Sequence, residues 1–202
     1  AQIGSGSPWT TPYIPSATTF YVTAGAPDAP GTQTLGAGLF TTNFDEFTPF
    51  LGWSGGYQHQ YLILASELTA LGIVPGATLT SLSFDVVTAG NTYNDFAVSL
   101  KNTTTTSFPT FTTGMEPGAQ QVRLPANHTT TAGINTFTFN SGTPFIWNGD
   151  NLLVQTCWSN NNSFNNASEV KYDNVPFNAT QLGMGDSQPA SVICDEPPFL
   201  GW

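Results

Sequence analysis

Hydrophobic and polar residues alternate with a period of two along much of this chain, and the clearest runs predict β-strands. In residues 78–88, Leu82, Phe84 and Val86 share one face while Ser81, Ser83 and Asp85 share the other. After a turn at residues 91–94, residues 95–101 return with Phe96, Val98 and Leu100 inward. Shorter runs predict strands at residues 36–43, 108–113, 119–124, 134–140, 151–158, 169–173 and 191–194. Turn signals separate several of them: Glu116-Pro117-Gly118, Ser141-Gly142 and Asn148-Gly149. About ten short strands at roughly 8–12-residue spacing predict an all-β fold, an antiparallel β-sandwich of jelly-roll or Greek-key type.

Residues 55–72 carry the one change of period. Gln58, Gln60 and Leu62 alternate with His59, Tyr61 and Ile63, the pattern of a strand. From Ala65 the residues become good helix formers, and Gly72 supplies a stop, so one short helix of about two turns is expected. Glu67 is the only carboxylate in this apolar run, and the expected role is to cap backbone amides at the helix start.

This stretch also carries a resemblance. Gln60-Tyr61-Leu62 and Ala65-Ser66-Glu67-Leu68 are followed by the runs at residues 79–84, 96–101 and 135–137, then by Pro144-Phe145-Ile146-Trp147-Asn148-Gly149 and Asn151-Leu152-Leu153-Val154. Together they resemble a β-rich module of secreted and surface proteins of Bacteroidetes-type bacteria, of gliding and adhesin type, associated with type IX secretion. The likeness spans residues 48–160, and His59 stands where that module often has an arginine. It implies a β-rich, non-enzymatic, exported protein.

Residues 1–34 differ from the remainder. They are rich in Gly, Ser, Thr, Pro and Ala, with Asp28 the only charge, and the prolines exclude a long helix. One strand is expected within them, at residues 17–24, with Phe20 and Val22 on one face and Thr19, Tyr21 and Thr23 on the other. The expected organisation is an extended N-terminal arm, residues 1–34, preceding a sandwich of residues 35–202.

Composition narrows the partners. Only 8% of residues are charged, and the net charge is −10 with three fixed cations, Lys101, Arg123 and Lys171. Nucleic acid is excluded because phosphate binding needs a basic stripe, and an anionic membrane surface is disfavoured likewise. No run of about 18 apolar residues exists to span a bilayer. Ala1-Gln2 resembles the start of a chain after signal-peptide removal, which predicts an extracellular or cell-surface location. Cys157 and Cys194 fit one disulfide of an exported protein, with two buried thiols as the alternative.

Candidate chemistry is sparse. Gly52-Trp53-Ser54-Gly55-Gly56 matches the nucleophile-elbow pattern, but that motif needs a βαβ context and none is present, so a Gly-rich turn is expected and no enzymatic activity. His59 is expected as a partly buried, hydrogen-bonded side chain, and His128 as a loop residue. Asp45, Glu46, Asp150 and Asp195 are weak candidates to meet at a loop end and hold a structural Ca²⁺; no other cofactor is expected. Trp53, Tyr57, Trp147 and Trp158 are candidates to stack on sugars. Two functions follow. The first is an extracellular structural subunit that joins copies of itself into a filament, Thr19, Phe20, Tyr21, Val22 and Thr23 being added to a neighbour's sheet. The second is an adhesion or carbohydrate-binding module, with surface polysaccharide as partner.

Overall fold

A computed structural model of the chain describes residues 20–25, 31–42, 48–109, 114–195, 197 and 199–201. They form an antiparallel β-sandwich of two sheets with two short helices. In chain order the elements are β1 (Phe20–Gly25), β2 (Gly31–Leu35), β3 (Phe40–Thr41), β4 (Gly56–Ile63), α1 (Ala65–Ala70), β5 (Thr78–Thr88), β6 (Thr92–Thr103), β7 (Gln120–Thr129), β8 (Gly133–Thr138), β9 (Phe145–Ile146), β10 (Asn151–Ser159), β11 (Glu169–Tyr172), β12 (Thr180–Gly185), α2 (Ala190–Asp195) and β13 (Phe199–Gly201).

The first sheet is built on β5. One side of this long strand pairs with β1 and then β11, the other with β8 and β9, while β2 extends the sheet beyond β1 and β3 beyond β11. The second sheet runs β13-β12-β4-β10-β6-β7. The two-residue period decides what lies between the sheets. Tyr57, Tyr61 and Ile63 of β4, Phe96, Val98 and Leu100 of β6, and Leu152, Val154 and Trp158 of β10 face Leu82, Phe84 and Val86 of β5 across one core. Phe50 is fully buried there, with ring centroids 5.2–5.6 Å from Tyr93, Phe96 and Phe84.

The second sheet is covered on its outer face as well, so every residue of β4 is buried. Residues 104–109 and 114–119 lie over it, where Phe108 packs on Leu62 and Leu153. The Gln60 carboxamide pins this cover by accepting from Glu116 N and donating to Glu116 O, each at 2.8 Å. The Glu116 carboxylate in turn accepts from Thr103 and Thr105 and pairs with Lys101 at 2.9 Å. Burial raises its pKa, but these donors together outweigh that and hold it below its ordinary value.

The turn into α1 follows the sequence closely. Glu67 Oε2 accepts from Leu64 N at 2.7 Å, and Asn151 Oδ1 accepts from Ala65 N. Burial raises the Glu67 pKa against the pull of that amide. At the other end Gly72 has φ +81°, with Gly72 N donating to Thr69 O and Ile73 N to Leu68 O, the paired bonds of a Schellman stop.

Several expectations are corrected. Residues 191–194 lie in helix α2 rather than a strand, although Val192 and Ile193 are β-branched. The Cys157–Cys194 disulfide ties α2 to β10, and Ile193 is buried beneath it. The fold therefore has a second short helix. Of the strand expected at residues 36–43, the described residues 36–42 supply only the two-residue β3, because Ala37, Gly38 and Leu39 turn their N–H groups onto the buried Asp173 carboxylate at 2.7–2.9 Å. The strand expected at residues 95–101 begins earlier, so Thr92, Tyr93 and Asn94 lie in β6 rather than in a turn, with a bulge between Tyr93 and Phe96. His128 belongs to β7, which continues through Pro125 to Thr129. Phe108 lies outside any strand, and residues 110–113 lie outside the described residues. β9, β12 and β13 had no counterpart among the expected strands.

The N-terminal strand is part of the sandwich. β1 pairs with β5 from Phe20↔Phe84 to Gly25↔Thr78, and with β2 on its other side. The expected boundary between residues 34 and 35 falls within β2, whose Leu35 is in the core. Thr19 and the residues before it lie outside the described residues. Among the described residues no helix is long and apolar enough to cross a membrane.

Candidate functional site

One end of the sandwich concentrates the unusual backbone. Among the described residues four non-glycines have positive φ: Trp53 (81°), Asp95 (55°), Asn161 (51°) and Ser187 (51°). Three come from separate connections and Asp95 from the bulge in β6, and hydrogen bonds join the four segments. Trp53 N donates to Asn165 O, Ser187 N to Asn162 O, and Asn94 N, next to Asp95, to Asn160 Oδ1. Conformations of this kind cost about 1–3 kcal/mol each and persist where surrounding contacts over-determine them, often at binding sites.

The contacts responsible are carboxamides. Asn165 is buried, and its Oδ1 accepts from Asn91, Asn160 and Asn162 while its Nδ2 donates to Ser54 O and Asn162 Oδ1. The loop of residues 160–168 lies directly on glycine backbone. A Cβ on Gly55 would sit 1.7 Å from Asn162 O, one on Gly52 2.4 Å from Asn165 O, and one on Gly90 2.2 Å from Ala167 O. Beneath the loop the Tyr93 hydroxyl lies within 3.1 Å of Phe50 O, Asn166 O and Ser168 Oγ, and burial pushes its pKa up to about 12 against the Ser168 hydrogen bonds.

On this rigid frame two aromatic side chains stand out to solvent: Trp53 is 61% exposed and Phe164 58%. Their chain segments are joined by the Trp53 N to Asn165 O bond. Asp186 accepts from Gly55 N at the same end. The three cations lie elsewhere: Lys101 on Glu116, Arg123 on Phe96 O over the Phe137 ring, and Lys171 beside Thr41. The rim thus offers aromatic faces and neutral carboxamides, with acidic but no basic charge.

The sequence nominated four sugar-stacking rings, and the structure leaves one in reach. Tyr57, Trp147 and Trp158 are at most 1% exposed. Each spends its polar atom inside the protein, the Tyr57 hydroxyl on Gly52 O, Trp158 Nε1 on Pro49 O and Trp147 Nε1 on Asp150 O. Burial raises the Tyr57 pKa, opposed by hydrogen bonds with Ser54. The signal was present: Tyr57 shares the face of Tyr61 and Ile63, and Trp158 that of Leu152 and Val154. Phe164 was missed because it stands alone in an Asn/Ser run with no periodicity around it.

The other nominated residues fall apart in space. Asp45 and Glu46 lie outside the described residues. Asp150 precedes β10 at the far end of the sandwich, bonded to Asn148. Asp195 closes α2 beside Cys194, whose partner Cys157 is seven residues beyond Asp150 and so about 23 Å along the strand. Among the described residues no group of three or more His, Cys, Asp or Glu is placed to hold a metal ion. The disulfide is present, with Cα atoms 5.5 Å apart. Ser54 Oγ lies on Met184 Sδ and His128 on Asn135, so the glycine-rich turn is not assembled as a catalytic elbow. His59 is fully buried between Tyr57 and Tyr61, and neither ring nitrogen has a hydrogen-bond partner among the described residues, which corrects the expected partly buried, hydrogen-bonded histidine. Burial lowers its pKa to about 3.

Comparison with family models, with curated proteins and with solved structures finds no match for this chain.

Proposed function

We propose that the protein is an extracellular adhesion module that recognises neutral saccharide at the loop end of the sandwich. The observation that carries this reading is Trp53, an indole held out in water by a residue at φ +81°. A tryptophan in that conformation costs stability and stays largely exposed, and contact with something outside the chain would account for its placement. Phe164 and the carboxamide cluster would supply a second ring and the polar contacts, and the absence of basic charge on this rim disfavours anionic glycans. The disulfide and the low charge content support an oxidising, extracellular setting. The test is retention on insoluble polysaccharides and on a glycan array. The native chain binds a neutral glycan, Trp53→Ala and Phe164→Ala each weaken it about tenfold, and a blank array for the native chain removes the proposal.

A structural subunit that joins copies of itself is the second reading, and the position of β1 favours it. β1 fills the space between β2 and β5 through main-chain pairs that would be the same on a neighbour's β5. The β1–β2 hairpin leads into Gly36 and Gly38, at φ 79° and 63°, where a change of direction is sterically cheap. Exchange of this hairpin from copy to copy in one direction would build a filament. Electron microscopy of the whole chain and of one lacking residues 1–35 tests it, since filaments that survive the deletion refute strand exchange.

A further inference from the structure

A second recess opens on the outer face of the second sheet, and Trp53 is not among its lining residues. The outer surface of the second sheet carries a cleft of about 460 Å³ between the turn at residues 115–119 and the C-terminal end of α2. Its floor crosses four neighbouring strands: Gln58 of β4, Gln155 of β10, Ser99 of β6 and Gln121 of β7. The Cys157–Cys194 disulfide lines it where α2 is fastened to the sheet. The opposite wall is rigid because Gln60 holds Glu116 by both backbone groups.

The polar atoms on this floor are unevenly used. Gln58 is 2% exposed, and its Nε2 donates to Cys194 O at 2.7 Å. Its Oε1 is buried and has no hydrogen-bond partner among the described residues. An unmet buried carbonyl costs about 1–3 kcal/mol, a cost that a donor brought by a ligand would remove. Beside it, Gln155 Oε1 accepts from Gln60 Nε2, which orients the Gln155 amide. Neither Lys nor Arg lines the cleft, whereas Glu116 and Asp195 do.

We infer that this cleft is a binding site for a small neutral polyhydroxylated ligand, a saccharide of one or two rings. The volume lies within the range of ordinary ligand pockets. Hydroxyl groups both donate and accept, which matches a floor of carboxamides and one serine hydroxyl. Glu116 is paired with Lys101, but the lining holds Asp195 and no Lys or Arg, so it offers no cation to phosphates, sulfates or uronates. With no aromatic ring among the described residues of its lining, binding rests on hydrogen bonds, so affinity is weak, with Kd about 1 mM.

The test is a titration of the folded, disulfide-intact chain with cellobiose, lactose, maltose and chitobiose, followed by amide chemical shifts. At least one disaccharide is expected to shift Ser99, Gly118 and Gln121 in a saturable way. Ser99→Phe, which fills the cleft, should weaken binding at least about tenfold. Gln121→Trp does the same from an exposed position that leaves the core untouched. Trp53→Ala should leave these shifts unchanged, which separates this site from the loop end. Glucuronate should fail to displace the disaccharide. The inference is overturned if no disaccharide moves these amides, if both cleft-filling variants bind as the native chain does, or if Trp53→Ala abolishes the shifts.

Discussion

His59 makes this protein acid-labile in a way that one substitution should cure. The ring is fully buried, without a hydrogen-bond partner among the described residues, and burial lowers its pKa from 6.5 to about 3. The unfolded chain therefore binds a proton below pH 6.5 that the folded chain refuses until about pH 3. Stability from this group is complete above 6.5 and is lost as pH falls through that window. At about 1.36 kcal/mol per pH unit, the loss between pH 7 and pH 5 is about 2 kcal/mol, growing to about 3 by pH 4. His59→Phe keeps a ring between Tyr57 and Tyr61, removes two unmet polar atoms and deletes the titration. At pH 7 it should equal or exceed the native stability. Urea unfolding of both proteins at pH 7, 6, 5 and 4 reads the effect, a difference of about 2 kcal/mol being roughly 1 M in midpoint. His128, whose pKa burial also lowers, and the carboxylates contribute equally to both proteins and cancel in the comparison. Parallel pH dependences for the two proteins would show that His59 is not buried as described.

Four further outcomes are expected. Trp53→Gly should leave stability unchanged or raise it by up to about 1 kcal/mol, by relieving the φ +81° strain, and should abolish glycan retention. Trp158→Ala, which empties a core position, should cost about 3–5 kcal/mol in a urea melt. Removing the disulfide by Cys157→Ser with Cys194→Ser opens a loop with sequence separation 37 and should cost about 4 kcal/mol in the chain-entropy model. Gly55→Ala should lower stability by about 1–3 kcal/mol, because its Cβ would meet Asn162 O at 1.7 Å, and should weaken retention by shifting the loop that carries Phe164.

Much of this architecture was legible before any coordinates. The period of two in β4, β5 and β10 specifies their faces. The cap by Glu67 and the stop at Gly72 follow from residue type alone, because both are local and satisfy backbone groups within one turn. The two cysteines likewise announced a bond. What periodicity leaves open is which face becomes covered. Tyr57 and Trp158 read as available rings until the opposing sheet closes over them, and the alternation of Gln58 and Gln60 with His59 and Tyr61 does not reveal that residues 114–119 and α2 lie over the two glutamines. Residues 190–195 form a helix because a disulfide and a buried Ile193 fix them on the sheet, against their strand-like local preference.

The loop end shows the same division. Its glycines and asparagines are plain in the sequence, but the strain at Trp53, Asp95, Asn161 and Ser187 arises only where three distant connections meet the bulge in β6. Composition and alternation determined a low-charge, disulfide-bearing β-sandwich. Tertiary contact decided which aromatics stayed in water, since exposure depends on the element packed opposite a residue, and its neighbours in the chain do not encode that.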